Sequence, residues 1–119
     1  MSAFDFLKAK SAHLHWRVKL LGYLNGQNTL TQAEVLSHEQ CELGKWIYSE
    51  GLKVYVNLPE MQELEKTHKE LHETIHRVIE FKDKNMLKEA KDEYELMREV
   101  SDVLMKMLDF LYENEKKYL

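Results

Sequence analysis

From Met86 to Tyr118 the chain runs without a glycine or proline, and its apolar residues return every three or four positions. Leu87, Ala90, Tyr94, Met97, Ser101, Leu104, Leu108 and Leu111 trace one stripe, the pattern of an amphipathic helix. Val100, Val103, Met107 and Phe110 widen that face beyond what one side of a small bundle needs. A helix of this length must bury its stripe against other elements, and no strand-like alternation or internal repeat offers a sheet for it. The surplus apolar surface predicts a second copy of the chain as partner, in a homodimer.

Two other segments have the same period. From about Phe4 to Leu24, one helix face carries Phe6, Ala9, His13, Trp16, Leu20 and Tyr23, and Asn25-Gly26-Gln27-Asn28 closes it. A third segment starts at Pro59, where the missing N–H costs nothing. It carries Met61, Leu64, His68, Leu71, Ile75 and Val78 as far as Phe81, then meets the polar turn Lys82-Asp83-Lys84-Asn85. Thr29 to Tyr48 is less regular. Thr31 and Glu34 read as a capping box that begins a short helical piece. Ser37 is placed to cap a short helix carrying Cys41. Gly51 is expected to end the helical run after Trp46, leaving Leu52 to Leu58 as a connection. The prediction is an all-α fold: an antiparallel up-down helical bundle of three long helices plus a short, irregular second helical element, with residues 1–119 forming one domain.

Composition removes several function classes. With 119 residues and a net charge of −4, the chain gives no electrostatic reason to expect nucleic acid or an anionic membrane as partner. Its apolar runs are too short to span a bilayer. Met1-Ser2-Ala3-Phe4-Asp5-Phe6 lacks the basic and apolar regions of a signal peptide. The single cysteine cannot form an internal disulfide and suits a reducing cytosol, so the expected location is cytoplasmic.

The chemistry lies in the residues that break the apolar stripes. His68 and His72 are four residues apart, hence one above the other on the core-facing side of their helix. Two imidazoles turned inward need partners, because an unpaired buried polar group costs about 1–3 kcal/mol. His13 occupies a core slot on the first helix, and Cys41 sits on the second element. Three imidazoles and one thiolate form a borderline-soft set that suits a four-coordinate Zn²⁺, one per chain. Each residue also has a plain reading. His13 alone is a hydrogen-bonded core histidine, Cys41 a small buried hydrophobe, and His68 with His72 a core pair. Six histidines in the chain make the spacing of that pair easy to meet by chance. Around the four, His38 lies three residues before Cys41 and can approach the site. His76 has rotated off the stripe toward solvent or the site's edge, and His15 points to another face. Trp16 and Trp46 are core anchors or walls that keep water away.

The motifs His13-Leu14-His15-Trp16, Cys41-Glu42-Leu43-Gly44-Lys45-Trp46 and His68-Lys69-Glu70-Leu71-His72 resemble a known family. They are similar to the His-x-x-Trp, Cys-x-Leu/Phe-Gly-x-Trp and His-x-x-x-His motifs of the chemoreceptor zinc-binding (CZB) domain. The order is right and the resemblance covers nearly the whole chain. It implies a three-histidine, one-cysteine zinc site at His13, Cys41, His68 and His72. It also implies a small helical, commonly homodimeric regulatory domain, not an enzyme. Such domains control an output signalling module, a chemoreceptor or a diguanylate cyclase, in response to zinc or to oxidants such as hypochlorous acid. No such module is visible in this sequence, so it would act in cis from elsewhere or in trans.

A closed tetrahedral site leaves no position for water or substrate, which argues against a hydrolase. Cys41 is the oxidisable ligand, and the second element is expected to loosen first if the metal is lost. Two alternatives stand beside the zinc sensor. A hemerythrin-like di-iron bundle would need bridging carboxylates and more histidines, and the last helix has none. A purely structural dimerisation bundle would bind no metal.

Overall fold

The computed structural model describes residues 4–118. Five helices follow one another: α1 (Phe6–Leu24), α2 (Glu42–Trp46), α3 (Leu52–Val54), α4 (Pro59–Asp83) and α5 (Leu87–Tyr118). A 3₁₀ turn (Gln32–Glu34) lies in the loop after α1, and a π-helical turn (Ile47–Gly51) joins α2 to α3. Among the described residues there is no strand, so the structure is all-helical.

The long helices start and stop for local reasons. Asp5 caps α1 by accepting the Lys8 N–H at 2.9 Å. α1 stops because Gly26 takes φ +73°, which lets the Gln27 N–H turn back onto the Gly22 carbonyl at 2.8 Å. α4 opens with Pro59 in its first turn. It closes in the same way as α1: Asn85 adopts φ 60°, and the Met86 N–H reaches the Phe81 carbonyl at 2.9 Å. Asparagine is the non-glycine residue that best tolerates this left-handed conformation. The short reversal sends α5 back along α4, with Arg77 on α4 paired to Glu93 on α5.

α1 lies on α5 in the opposite direction. Lys10 pairs with Asp109, while Arg17, farther along, bonds Ser101 and Asp102, so numbers rise on one helix as they fall on the other. α1 and α4 run the same way, since His13 meets His68 and Tyr23 bonds Asp83. The apolar stripes fill the space between these helices. Leu20, Leu64, Ile75, Met97 and Leu104 have no exposed surface. Ser101 is equally buried, its hydroxyl accepting from Arg17 Nε at 3.1 Å. The extra width of α5 is partly used internally: Val100 is buried and Met107 and Phe110 are half-buried, while Val103 stays exposed.

The second element departs from expectation in three ways. Cys41 itself is the N-cap of α2, its Sγ accepting the Gly44 N–H at 3.4 Å. Ser37 instead closes the preceding turn, its carbonyl accepting the N–H groups of Gln40 (3.1 Å) and Cys41 (3.2 Å). Thr31 caps no backbone group, and the residues after it form a single 3₁₀ turn. Gly51 is helical (φ −53°, ψ −51°) and continues the run through the π turn into α3. The chain therefore winds helically from Glu42 to Val54, where a connection was expected after Gly51.

Gly44 explains how the tight turn before α2 is possible. A Cβ at this position would lie 1.7 Å from the His38 carbonyl oxygen, so the turn and the helix can touch only over a bare Cα. Gly44→Ala would raise stability by about 1 kcal/mol in an ordinary helix interior. Here it is expected to lower it by about 1–3 kcal/mol through overpacking, read as a lower urea midpoint; an unchanged or higher midpoint would mean the turn yields freely.

Candidate metal centre

Three separate elements deliver the four inward residues. His13 sits midway along α1, His68 and His72 are one turn apart on α4, and Cys41 stands at the mouth of α2. One ligand atom from each comes together within 4.8 Å of all the others. His68 Nε2 is at the middle, 3.2 Å from His13 Nε2, 3.1 Å from His72 Nε2 and 3.1 Å from Cys41 Sγ. Cys41 Sγ is 3.8 Å from His13 Nε2. A tetrahedral zinc with bonds of about 2.0–2.3 Å would hold its ligand atoms roughly 3.3–3.6 Å apart. These four contacts bracket that range.

Backbone carbonyls set the ring tautomers. His13 Nδ1 lies 2.7 Å from the Ala9 carbonyl, and His72 Nδ1 lies 2.7 Å from the Leu36 carbonyl. A carbonyl can only accept, so both Nδ1 atoms carry the proton. In neutral rings that leaves both Nε2 atoms as bare lone pairs aimed at the same centre. One proton on His68 Nε2 could satisfy only one of them. His68 Nδ1, on the far side of its ring, is buried with no protein partner. A cation at the centre accepts every converging lone pair at once, and the donor set of three imidazoles and one sulfur is one that zinc favours. The residues fit the metal.

Electrostatics agree. Burial, and then the neighbouring His72 and His13 rings, push the His68 pKa down to about 2. Burial lowers His72 to about 4, with His13 adding to the effect and the Leu36 carbonyl opposing it. His13 is lowered by burial and partly held up by Ala9. All three are therefore neutral near pH 7, the form that binds metal. Burial raises the Cys41 thiol, against the pull of the Gly44 and Leu43 N–H groups. A bound cation reverses that balance and favours the thiolate.

The site has a closed back and an open front. A cleft of about 820 Å³ reaches His13, Cys41 and His72 but not His68. Trp16 and Trp46 both line it. Trp16 is half-buried, with the Lys19 ammonium 4.7 Å over its ring. Trp46 stacks on Phe4 (4.8 Å between centroids) and meets Phe6 edge-on (5.2 Å), tying α2 to the start of α1. His38 lies beside the cluster, its ring centroid 6.5 Å from that of His68. His76 is turned away, its ring bonded to the Gln32 side chain, whose amide donates to the His76 carbonyl at 2.8 Å. His15 is exposed. Among the described residues no carboxylate joins the cluster, which leaves a di-iron centre without its bridging ligands.

Sequence reasoning missed the Ala9 and Leu36 carbonyls, because a backbone acceptor leaves no mark in residue type. It also missed Gln32, whose loop lies across α4 only in three dimensions.

The family model described as the chemoreceptor zinc-binding domain (CZB) matches residues 13–79, more than half of the chain and all four clustered residues. No curated protein and no solved structure matches it.

The lowered histidines give the metal-free protein a pH signature. Below about pH 6.5 an unfolded chain takes up protons that the folded His68 and His72 refuse, so stability falls as pH falls. His72 goes on refusing until about pH 4. By pH 5 the two rings together are expected to remove up to about 4 kcal/mol, measured as the urea midpoint of chelator-treated protein. A midpoint unchanged between pH 7.5 and 5 would contradict this.

Proposed function

The chain belongs to the chemoreceptor zinc-binding (CZB) family, and from that premise we propose that it is a regulatory domain holding one Zn²⁺ through His13, Cys41, His68 and His72. The observation that carries the reading is the convergence on one point of a third imidazole, a cysteine sulfur and two carbonyl-locked imidazoles whose inner nitrogens can only accept. Four protein ligands leave no coordination position for a substrate, so the domain regulates and does not catalyse. Zinc there supplies a tie between α1, α2 and α4, turning binding free energy into conformational free energy.

The three long helices form an up-down bundle on which α2 is the detachable part. α4 brings two ligands on one rigid turn, whereas Cys41 hangs at the end of a five-residue helix facing the open cleft. Cys41 is the sensing atom. An oxidant such as hypochlorous acid transfers its oxygen to the thiolate, forming a sulfenic acid and releasing chloride. The sulfenic acid is a poorer ligand and α2 lets go. The domain sits in a reducing cytoplasm, where the thiol is kept ready, and passes the change to a chemoreceptor or cyclase output in cis or in trans.

The partner for the bundle is a second copy. Of the surplus expected on α5, Val103 stays exposed, and Leu96, two turns before it, is exposed as well. A second exposed apolar group lies on α1, where Leu7, Val18 and Leu21 reach solvent and Val18 is 67% exposed. Such a group can cover itself across a two-fold axis.

Protein purified without added metal is expected to carry close to one zinc per chain by elemental analysis; none would leave a purely structural bundle. One equivalent of hypochlorous acid is expected to change tryptophan fluorescence, through Trp46 on α2, in the wild type and not in Cys41→Ser. An equal response in both would sink the redox reading. Val18→Lys is expected to convert a dimer to a monomer by sedimentation, and a wild-type monomer would refute the dimer.

A further inference from the structure

His38 belongs neither to the four-residue cluster nor to the solvent. Its ring is turned inward on the tight turn before α2, with its side chain only 19% exposed. Ring centroids within the cluster are 4.6 Å (His68–His72), 5.1 Å (His13–His68) and 5.7 Å (His13–His72) apart. His38 is 6.5 Å from His68, less than an ångström beyond the widest of these. Its plane stands at 73° to that ring, within the 72–79° that the three clustered rings make with one another. Little holds it in place. Among the described residues its ring makes no hydrogen bond; Nε2 only approaches the exposed Glu39 carboxylate, at 3.7 Å, and the Tyr48 ring lies 6.0 Å away.

Resting on the zinc reading above, we propose that His38 is a spare zinc ligand that takes the place of Cys41 when the thiolate no longer binds. The replacement site is then made of His13, His38, His68 and His72. Side-chain rotation on the existing turn is the main movement required, since the backbone of His38 is already seated on Gly44. Imidazole is as acceptable to zinc as thiolate, so the exchange keeps four protein ligands. The other two histidines are not placed for this, with His15 exposed on α1 and His76 engaged by Gln32. Losing Cys41 would then remodel the site and not empty it. The metal stays on α1 and α4 and is held also by the turn before α2, while the direct tie at the N-cap of α2 is lost.

The test is zinc and cobalt binding by the metal-free full chain in four forms: wild type, His38→Ala, Cys41→Ala and the double variant. Wild type and His38→Ala are expected to hold about one metal per chain with similar affinity. Cys41→Ala is expected to hold about one as well, its cobalt complex lacking the sulfur charge-transfer band but keeping tetrahedral d–d bands. The double variant is expected to bind at least about tenfold more weakly than Cys41→Ala. Should Cys41→Ala fail to fold, as judged by circular dichroism, Cys41→Ser replaces it in both forms, because a hydroxyl can still cap α2. Equal affinity in Cys41→Ala and the double variant, or no metal in Cys41→Ala, would overturn the role of His38 alone. A wild type that takes up no metal would overturn the zinc reading and this inference with it.

Discussion

Two hydrogen bonds decide what the interior of this protein can be. By accepting the Nδ1 protons of His13 and His72, the Ala9 and Leu36 carbonyls strip the proton from the inner nitrogen of each ring. Lone pairs brought together in a low-dielectric core repel, and neither ring can relieve this by protonation, since burial holds both pKa values down. The bundle thus surrounds a point at which a positive charge is stabilised. A hydrophobic core of the same shape would need none of this, and an unfilled polar centre would cost several unsatisfied groups.

The two carbonyls come from different kinds of structure, and the difference matters. Ala9 lies one turn before His13 on the same helix, so its bond to the ring lasts as long as α1 does. Leu36 lies in the loop between the 3₁₀ turn and α2, held across α4 by Gln32 bonding both ring and carbonyl of His76. The orientation of His72 therefore depends on the same loop that leads into Cys41. Two of the four inner groups are set by long helices alone, and two also depend on the segment between α1 and α4, which is anchored through Leu43, Ile47 and Trp46. The two halves of the site therefore rest on different kinds of support.

Much of this was legible in the sequence, because helical period converts residue number into direction. The stripes of the three long segments placed His13, His68 and His72 inward, and all three are buried. Helix ends at Gly26 and Asn85 followed from turn chemistry. The segment from Thr31 to Leu58 was read less well, for a physical reason. A five-residue helix, a π turn and a 3₁₀ turn have no period long enough to register, and their conformation is set by contacts with α1 and α4. Cys41 was placed on the right element with the wrong role, as a residue within a helix capped by Ser37. It is itself the cap, because sulfur can reach the Gly44 N–H as a hydroxyl oxygen would. Gly44 stood in a recognisable motif, yet its necessity appears only when the His38 carbonyl is found against it.

The position of His13 gives the centre a mechanical connection beyond its own ligands. It lies about one helical turn from Lys10 on one side and from Arg17 on the other, and these are the residues that pair with Asp109 and Asp102 on α5. Each pair is partly exposed and contributes little by itself. Arg17 also bonds the buried Ser101 hydroxyl, while the Tyr94 hydroxyl donates to the Arg17 carbonyl at 3.0 Å, so side chain and backbone of one residue are both fixed to α5. α5 contributes no ligand, yet it is the longest helix, and these bonds tie it to α1 on either side of His13. A rotation of α1 by even part of a turn would have to break or move them together. The centre and α5 are thus joined by a contiguous set of contacts along α1, running from His13 to Lys10 on one side and Arg17 on the other.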